Sequence, residues 1–171
     1  ATAISALNAT LIEFIKAQHC FFVATAAPDG RVNMSPKGLD TLRVINESTI
    51  VWLNLSGSGN ETAAHLREHP RMTLMFCAFD GDARILRLYG TARTVHPRDE
   101  SWSELNALFP DMAGARQVFV LNLDRVQTSC GTGVPRMKFL SGRGKTELLP
   151  YYEAMGEDGV RQYWQRKNTQ S

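Results

Sequence analysis

The chain has 171 residues, of which 43% are hydrophobic and 21% charged, and its formal net charge at pH 7 is +2. This length suits one domain with a core of its own, and so small a net charge gives no argument for a nucleic-acid partner or a membrane surface. No apolar run approaches the roughly 20 residues that a bilayer-spanning helix needs, so no membrane partner is expected.

The first half is predicted as one helix followed by four strands. Apolar residues recur at helical spacing over residues 3–18, which predicts a helix covering one end of the core. Residues 20–26 are apolar, and Pro28-Asp29-Gly30 is a turn signal, so residues 31–35 are predicted as the return strand of a hairpin. Residues 42–45 and 49–55 read as two further strands.

A small, polar loop then joins the strand ending at residue 55 to a short helix. The loop covers residues 56–60, and a helical pattern runs from Glu61 to His69 before Pro70 stops it. Glycines let a backbone approach an anion closely, and the first amides of a helix point outward without partners. The loop is therefore a candidate phosphate site, with side-chain donors at the following positions: Ser56, Ser58, Asn60 and Thr62. The alternative is a plain turn in which Ser58 or Asn60 caps the helix.

The second half is predicted to be richer in strands. Residues 72–79 and 84–95 form a hairpin around Asp80-Gly81-Asp82, and residues 117–129 form a long strand after a helix at 97–109. A loop at 127–139 and one or two helices at 146–167, broken near Gly156, complete the chain. Six or seven strands at short spacing predict a mainly β fold with flanking helices, an antiparallel barrel or sandwich. We expect a single domain over residues 1–171, with its core at about 20–139.

Three groups of residues are candidates for chemistry or binding. Residues 33–38 end a strand in a polar, cationic turn, where Lys37 is either a ligand for an anion or a surface lysine. Arg87 lies among apolar neighbours, and an inward-facing arginine needs an anionic partner, either a ligand or an acid of this chain. The loop at 130–135 is the third group: its amides and Ser129 either contact a ligand or belong to an ordinary glycine-rich turn.

The cysteines and histidines suggest neither a metal site nor a catalytic pair. The three cysteines, Cys20, Cys77 and Cys130, are far apart and odd in number, which favours reduced thiols and a cytoplasmic protein. Cys130 as a nucleophile would need a nearby base that the sequence does not show. His65 and His69 stand four apart on a predicted helix and are interpreted as a surface pair.

The order of these segments resembles the pyridoxamine 5′-phosphate oxidase-like family, whose members are FMN-binding split β-barrels. The resemblance rests on five stretches in sequence: SPKG, LSGSGNETAAHL, HPRMTLMF, ILRLYGTAR and DRVQTSCGTGVP. It covers roughly residues 20–139. It implies an antiparallel split barrel and a homodimer with two FMN sites at the subunit interface.

The resemblance also implies positions for the cofactor and the substrate. The implied cofactor-binding residues are those of the strand, the loop and the second hairpin strand: Asn33, Met34, Ser35, Lys37, Ser56, Ser58, Asn60, Thr62 and Arg87. Lys37 or Arg87 would supply a cation beside the flavin ring. The residues implied on the substrate side of the ring, from the same subunit or from its partner, are Ser129, Cys130, Gly131 and Val134.

Two departures argue against pyridoxamine phosphate as the substrate. Vitamin B6 oxidases carry Ser-Arg-Lys at the helix start, whereas this chain has Asn60-Glu61-Thr62. Their arginine-bearing tail also has no match in residues 166–171, and the abrupt end predicts that a further tail has been lost or trimmed. The expected function is an FMN-dependent oxidoreductase of unknown small-molecule substrate. The alternatives are a flavin-binding module without turnover and the same barrel using F420 or haem.

Overall fold

A computed structural model describes residues 2–58 and 60–169 of the chain. Gly59, which belongs to the predicted phosphate loop, lies outside the described residues, as do Gln170 and Ser171 of the tail. None of the described helices is both long and apolar enough to cross a membrane.

The centre of the fold is one antiparallel sheet of eight strands within the described residues. Its strands in chain order are β1 Thr2–Ile4, β2 Phe21–Thr25, β3 Asn33–Lys37, β4 Leu42–Asn46, β5 Thr49–Leu55, β6 Arg71–Cys77, β7 Arg84–Val95 and β8 Ala115–Cys130. Helical segments flank the sheet: α1 Ala9–Lys16, α2 Glu61–Glu68, α3 Trp102–Asn106, a π-helical turn Gly144–Leu148 and α4 Leu149–Asn168. As the sequence predicts, α4 is broken at Gly156, where φ is 65°.

The sheet curls into a barrel that is open along one side. The strand order is β3-β2-β6-β7-β8-β5-β4, with β1 added on β8. β8 is 16 residues long and pairs with β1, β5 and β7, so it joins the two parts of the sheet. Although β3 and β5 are not neighbours in the sheet, the side chains of Lys37 and Asn54 meet across the opening. The predicted antiparallel split barrel is confirmed.

Two apolar cores lie on opposite faces of β5 because successive side chains of a strand point to opposite sides. Trp52 belongs to the barrel interior, where it stacks on Phe119 with ring centroids 4.5 Å apart. Leu53 belongs to a second core beneath α3 and the start of α4, together with Val118. The second core positions α4 against the barrel wall.

The N-terminal prediction is wrong in its first part. Thr2–Ile4 forms a strand on β8, and the helix begins only at Ala9. The start is fixed by Asn8, whose side-chain oxygen accepts a hydrogen bond from the Leu11 amide at 3.0 Å. The helix expected at 97–109 is also shorter and covers Trp102–Asn106.

One glycine is required by the packing of β7 on β8. A side chain at Gly90 would place its Cβ 1.9 Å from the Asn122 carbonyl oxygen, at the point where the register of the two strands shifts. We expect Gly90→Ala to lower the free energy of unfolding by about 1–3 kcal/mol, since backbone atoms must move to admit the methyl group. Gly133→Ala is the control, because nothing lies within 4 Å of its Cβ. Urea unfolding measures both, and equal stability of the two variants would contradict the close approach.

Candidate functional site

β3 presents a polar side to the barrel interior. Asn33, Ser35 and Lys37 alternate with Met34 and Pro36, and in the pairing with β2 they face the positions of its buried residues. Met34 lies on the opposite side and is 63% exposed. The strand runs through Pro36 to Lys37, so the prediction that it ends at Ser35 in a turn is wrong. Proline is tolerated because β3 is an edge strand.

A hydrogen-bonded chain of four side chains connects β3 to the start of α2; we call it the polar chain. The Lys37 ammonium donates to Asn54 Oδ1 at 3.4 Å, and the Asn54 amide donates to Gln117 Oε1 at 3.0 Å. The Gln117 amide then donates to Asn60 Oδ1 at 3.0 Å. Asn54 and Gln117 are buried, so these partners offset the cost of removing two amides from water.

The start of α2 is joined to β3 by a second contact. Asn33 Nδ2 donates to Thr62 Oγ1 at 3.2 Å, and Thr62 is buried in the first turn of the helix. Asn60 stands at the N-cap position, but its side chain makes no cap hydrogen bond and accepts from Gln117 instead. The capping interpretation therefore does not hold for Asn60. The amides of the first turn of α2 remain without a helical partner.

Lys37 and Ser35 can each form further hydrogen bonds. Burial lowers the pKa of Lys37, an effect that the charge of nearby Glu61 partly opposes. No acidic side chain of the described residues forms an ion pair with Lys37, and its ammonium lies 5.5 Å from the centre of the Trp52 ring. The Ser35 hydroxyl is buried and has no hydrogen-bond partner among the described residues. A bound acceptor such as a phosphate oxygen would satisfy both groups.

Ser56 and Ser58 occupy different environments. The Ser56 hydroxyl donates to the Gly114 carbonyl at 2.7 Å and accepts from Trp164 Nε1 at 2.6 Å. The Ser56 carbonyl accepts from the Tyr152 hydroxyl at 2.5 Å. Ser56 is thus used to fasten the loop to α4, whereas Ser58 is exposed.

α4 is fixed against this loop by close packing as well. Gly114 has φ 81°, and a Cβ there would lie 2.5 Å from the Tyr152 ring. The buried Arg116 donates to Asn168 Oδ1 at 2.7 Å, and its guanidinium lies 5.2 Å from the centre of the Trp164 ring. The C-terminal helix therefore holds the base of the candidate phosphate loop.

Arg87 lies on the outer side of the sheet, so the prediction that it faces inward is wrong. Its guanidinium donates to the Ser129 hydroxyl at 3.2 Å, and no acid of the described residues pairs with it. The register runs Pro36, Phe22, Met75, Arg87 across adjacent strands. Arg87 is thus three strand spacings from β3, roughly 14 Å along the sheet. Within one chain it does not join the polar chain.

The four substrate-side candidates lie beyond Arg87. Ser129 and Cys130 are the last two residues of β8. The predicted strand ends at Ser129, so Cys130 is expected in the loop and lies on the strand instead. Gly131 must be a glycine, because a Cβ there would lie 2.5 Å from the Arg84 nitrogen. Gly131 and Val134 line a small cavity of about 260 Å³. The Cys130 residue is exposed, and the Thr132 hydroxyl, which is not a base, lies 3.8 Å from its sulfur.

A sequence model of pyridoxamine 5′-phosphate oxidase matches residues 7–130, which is most of the chain. The chain belongs to the pyridoxamine 5′-phosphate oxidase family. The family match contains β2 to β8 and therefore the whole polar chain and Arg87.

One curated relative and two solved structures illustrate this family. The pyridoxamine 5′-phosphate oxidase family protein ustO of Aspergillus flavus is 39% identical over 134 residues, which are 75% of this chain and 54% of the relative. The chain thus spans about half the length of that relative. A pyridoxamine 5′-phosphate oxidase-related, FMN binding protein of Nostoc punctiforme has a TM-score of 0.50 at 12% identity, covering 68% of this chain and 76% of its own.

The second structure is the FAD binding protein of Mycobacterium smegmatis, with a TM-score of 0.52 at 18% identity, covering 74% of this chain and 99% of its own. At these identities the two structures show the shared fold. Their names show that proteins of this fold bind FMN or FAD.

The contact between Tyr152 and the loop predicts a pH-dependent stability. Burial, reinforced by neighbouring tyrosines, raises the pKa of Tyr152 from its ordinary value of 10.0 to about 12. The native phenol therefore keeps its proton where the unfolded one loses it. The raised pKa therefore contributes to the free energy of unfolding. This contribution is complete below pH 10 and is lost as the pH rises to about 12, by about 1.4 kcal/mol per pH unit.

Tyr152→Phe should remove that dependence. We expect the stability difference between parent and variant, measured by urea unfolding, to shrink between pH 10 and pH 12. Tyr151→Phe is the control, because Tyr151 is 51% exposed. A difference that stays constant over this range for Tyr152→Phe would contradict the burial of the phenol.

Proposed function

We propose that this chain is an FMN-dependent oxidoreductase of a small molecule, with the flavin phosphate bound where β3 meets the start of α2. The observation that carries the proposal is a half-buried lysine without an acidic partner beside a buried hydroxyl without any partner. Both lie on β3, the strand that Asn33 joins to the first turn of α2. Family membership supports the proposal, as does the FMN binding named for the Nostoc punctiforme protein.

The described residues fit a phosphate group. Lys37 would offer a charge-assisted hydrogen bond, Ser35 a hydroxyl, and the first turn of α2 its amides and the positive end of its dipole. Asn33, Asn60 and Thr62 are already oriented by their contacts with each other and with Gln117. Glu61, which stands where B6 oxidases carry a cation, opposes an anion at this position. We therefore expect moderate affinity for the flavin phosphate.

When bound, the flavin supplies the redox chemistry. The residues of this chain hold the phosphate, orient the ring and exclude water. Lys37 provides a cation where the polar chain borders a large cavity, because it donates to Asn54 and also lies in the wall of that cavity. The chain needs no covalent nucleophile for this role.

The proposed active form is a homodimer that places Arg87 and its neighbours against the partner's flavin. The outer side of β2, β3 and β6 carries apolar side chains that are exposed or half-buried, among them Met34, Phe22 and Met75. Arg87, Ser129 and the loop after Cys130 border this face. Pairing of two such faces would bury the apolar residues and bring the substrate-side residues of one subunit toward the polar chain of the other.

Substitution of Lys37 tests the proposed phosphate site. We expect Lys37→Ala to raise the dissociation constant for FMN tenfold to hundredfold, because a hydrogen bond to a charged group contributes about 1.5–3 kcal/mol. Asn60→Ala and Thr62→Ala should cost less, about 0.5–1.5 kcal/mol each. Quenching of flavin fluorescence measures each constant.

Two control variants belong to that experiment. Lys16→Ala removes an exposed lysine of α1 that pairs with Glu13, and His96→Ala removes a histidine with no assigned role. Neither should change the affinity for FMN. If Lys37→Ala binds like the parent while a control variant does not, the site is placed wrongly.

The dimer is tested by a charge on the apolar outer face. Ala24 is half-buried on β2 between Met34 and Thr73, so Ala24→Arg should convert a dimer into a monomer in sedimentation velocity. Ala154→Arg introduces the same side chain at an exposed position of α4 and should leave the dimer intact. A parent protein that sediments as a monomer with FMN tightly bound would contradict a shared site.

A further inference from the structure

A large cavity lies between the barrel wall and residues 137–148, which we call the strap. Its volume is about 1580 Å³. Lys37 and Ser56 contribute to its wall, whereas Asn60, Thr62 and Arg87 do not. Pockets that hold one small ligand typically measure roughly 300–1,000 Å³, so this cavity is large enough for a flavin ring and a second molecule together.

The strap is fixed to the barrel at both of its ends. The Met137 amide donates to the Phe79 carbonyl at 2.8 Å, and the Phe139 ring stacks on His19 with centroids 3.8 Å apart. At the other end Gly144 contacts Leu39, so closely that a Cβ would lie 2.0 Å from its side chain. The cavity is therefore a built feature of the fold, with a defined roof.

The floor of the cavity contains a strained residue. Leu39 has φ 61°, which a bulky residue rarely adopts, and it directly follows the Lys37-Gly38 pair. The turn is held by Thr41 Oγ1, which donates to the Gly38 carbonyl at 2.7 Å, and by the contact with Gly144. Such strain is retained mainly where it serves a site, and here it directs a leucine into the cavity wall.

The walls would accommodate an apolar body. Leu53 and Leu55 of β5 lie on one side, and Phe139 and Leu140 of the strap lie on the other. Phe139 is 51% exposed and Leu140 is 86% exposed, so the strap presents apolar surface that the described residues leave uncovered. A ligand with a planar apolar body would bury it.

The charges of the strap favour an anionic group on that ligand. Lys138 and Arg143 have side chains that bond to no other described residue. Of the acids in the wall, Asp40 accepts two hydrogen bonds from Arg43, and Asp80 accepts one from the Gly81 amide. Glu147 has no such partner, but the strap carries three cations, Lys138, Arg143 and Lys145, against this one acid, so its net charge is positive.

We propose that this cavity binds a planar, apolar molecule with one carboxylate or sulfonate-like group. Its apolar body would lie between Leu55 and Phe139, and its anionic group would meet Lys138 and Arg143. That this ligand is the substrate rests on the proposed flavin function, whereas its binding does not.

The probe for this test is 1-anilinonaphthalene-8-sulfonate, compared with the neutral N-phenyl-1-naphthylamine of nearly the same shape. Isothermal titration calorimetry on the FMN-loaded protein avoids overlap with flavin absorption. We expect Lys138→Ala with Arg143→Ala to weaken the sulfonate at least about fivefold and to leave the neutral compound unchanged. Phe139→Ala should weaken both compounds.

The matched control is Lys16→Ala with Arg161→Ala, which removes the same charge from exposed positions of α1 and α4. It should not change either affinity. Equal binding of the two compounds, no effect of the strap variants, or no binding would each overturn the proposal. If the protein binds no FMN, the same titration on the protein alone still tests the cavity, and failure of the flavin function is then distinguished from failure of this site.

Discussion

The arrangement of the site is governed by two buried side-chain amides that need hydrogen-bond partners, Asn54 on β5 and Gln117 on β8. Asn54 and Gln117 lie in the barrel where neighbouring residues are apolar, and each requires partners for its donors and its acceptor. Those partners are Lys37 on one side and Asn60 on the other. The hydrogen bonds therefore close the open side of the barrel and position the start of α2 at the same time.

The loop before α2 is held from its other side by the C-terminal helix. Tyr152 and Trp164 both donate to Ser56, and Gly114 leaves room for the Tyr152 ring. A loop rich in small residues is ordinarily variable in conformation, and ordering it costs entropy. Contacts with α4 at the base of the loop lower the cost that a ligand must meet when it binds, which is the usual benefit of preorganisation.

The sequence predicted the main strands and most of the polar residues that meet at the site, because both follow from local pattern. The apolar runs along 49–55 and 117–129, and the Gly/Ser loop before a helical stretch, can be recognised from the sequence alone. Asn54 and Gln117 were missed, although a polar residue within each apolar strand was a visible signal.

Other features depend on contacts that no local pattern contains. Ser56 is predicted as a ligand donor, yet its hydroxyl bonds to Gly114 and Trp164. These two partners lie far along the chain, so no local pattern indicates them. Arg87 is predicted to face inward, but its neighbours Leu86 and Leu88 are fully buried, so Arg87 lies on the opposite, outer face of β7. The early strand Thr2–Ile4 forms because β8 offers it an edge, which its own residues do not indicate.

The central claim is that the polar chain and the start of α2 hold the phosphate of FMN. The most direct test is to release the small molecules bound to the purified protein, before and after incubation with FMN, and to identify them by mass spectrometry with quantification per chain. The account predicts FMN at one molecule per chain. FAD, F420 or haem in its place, or no retained flavin after incubation with FMN, would contradict it.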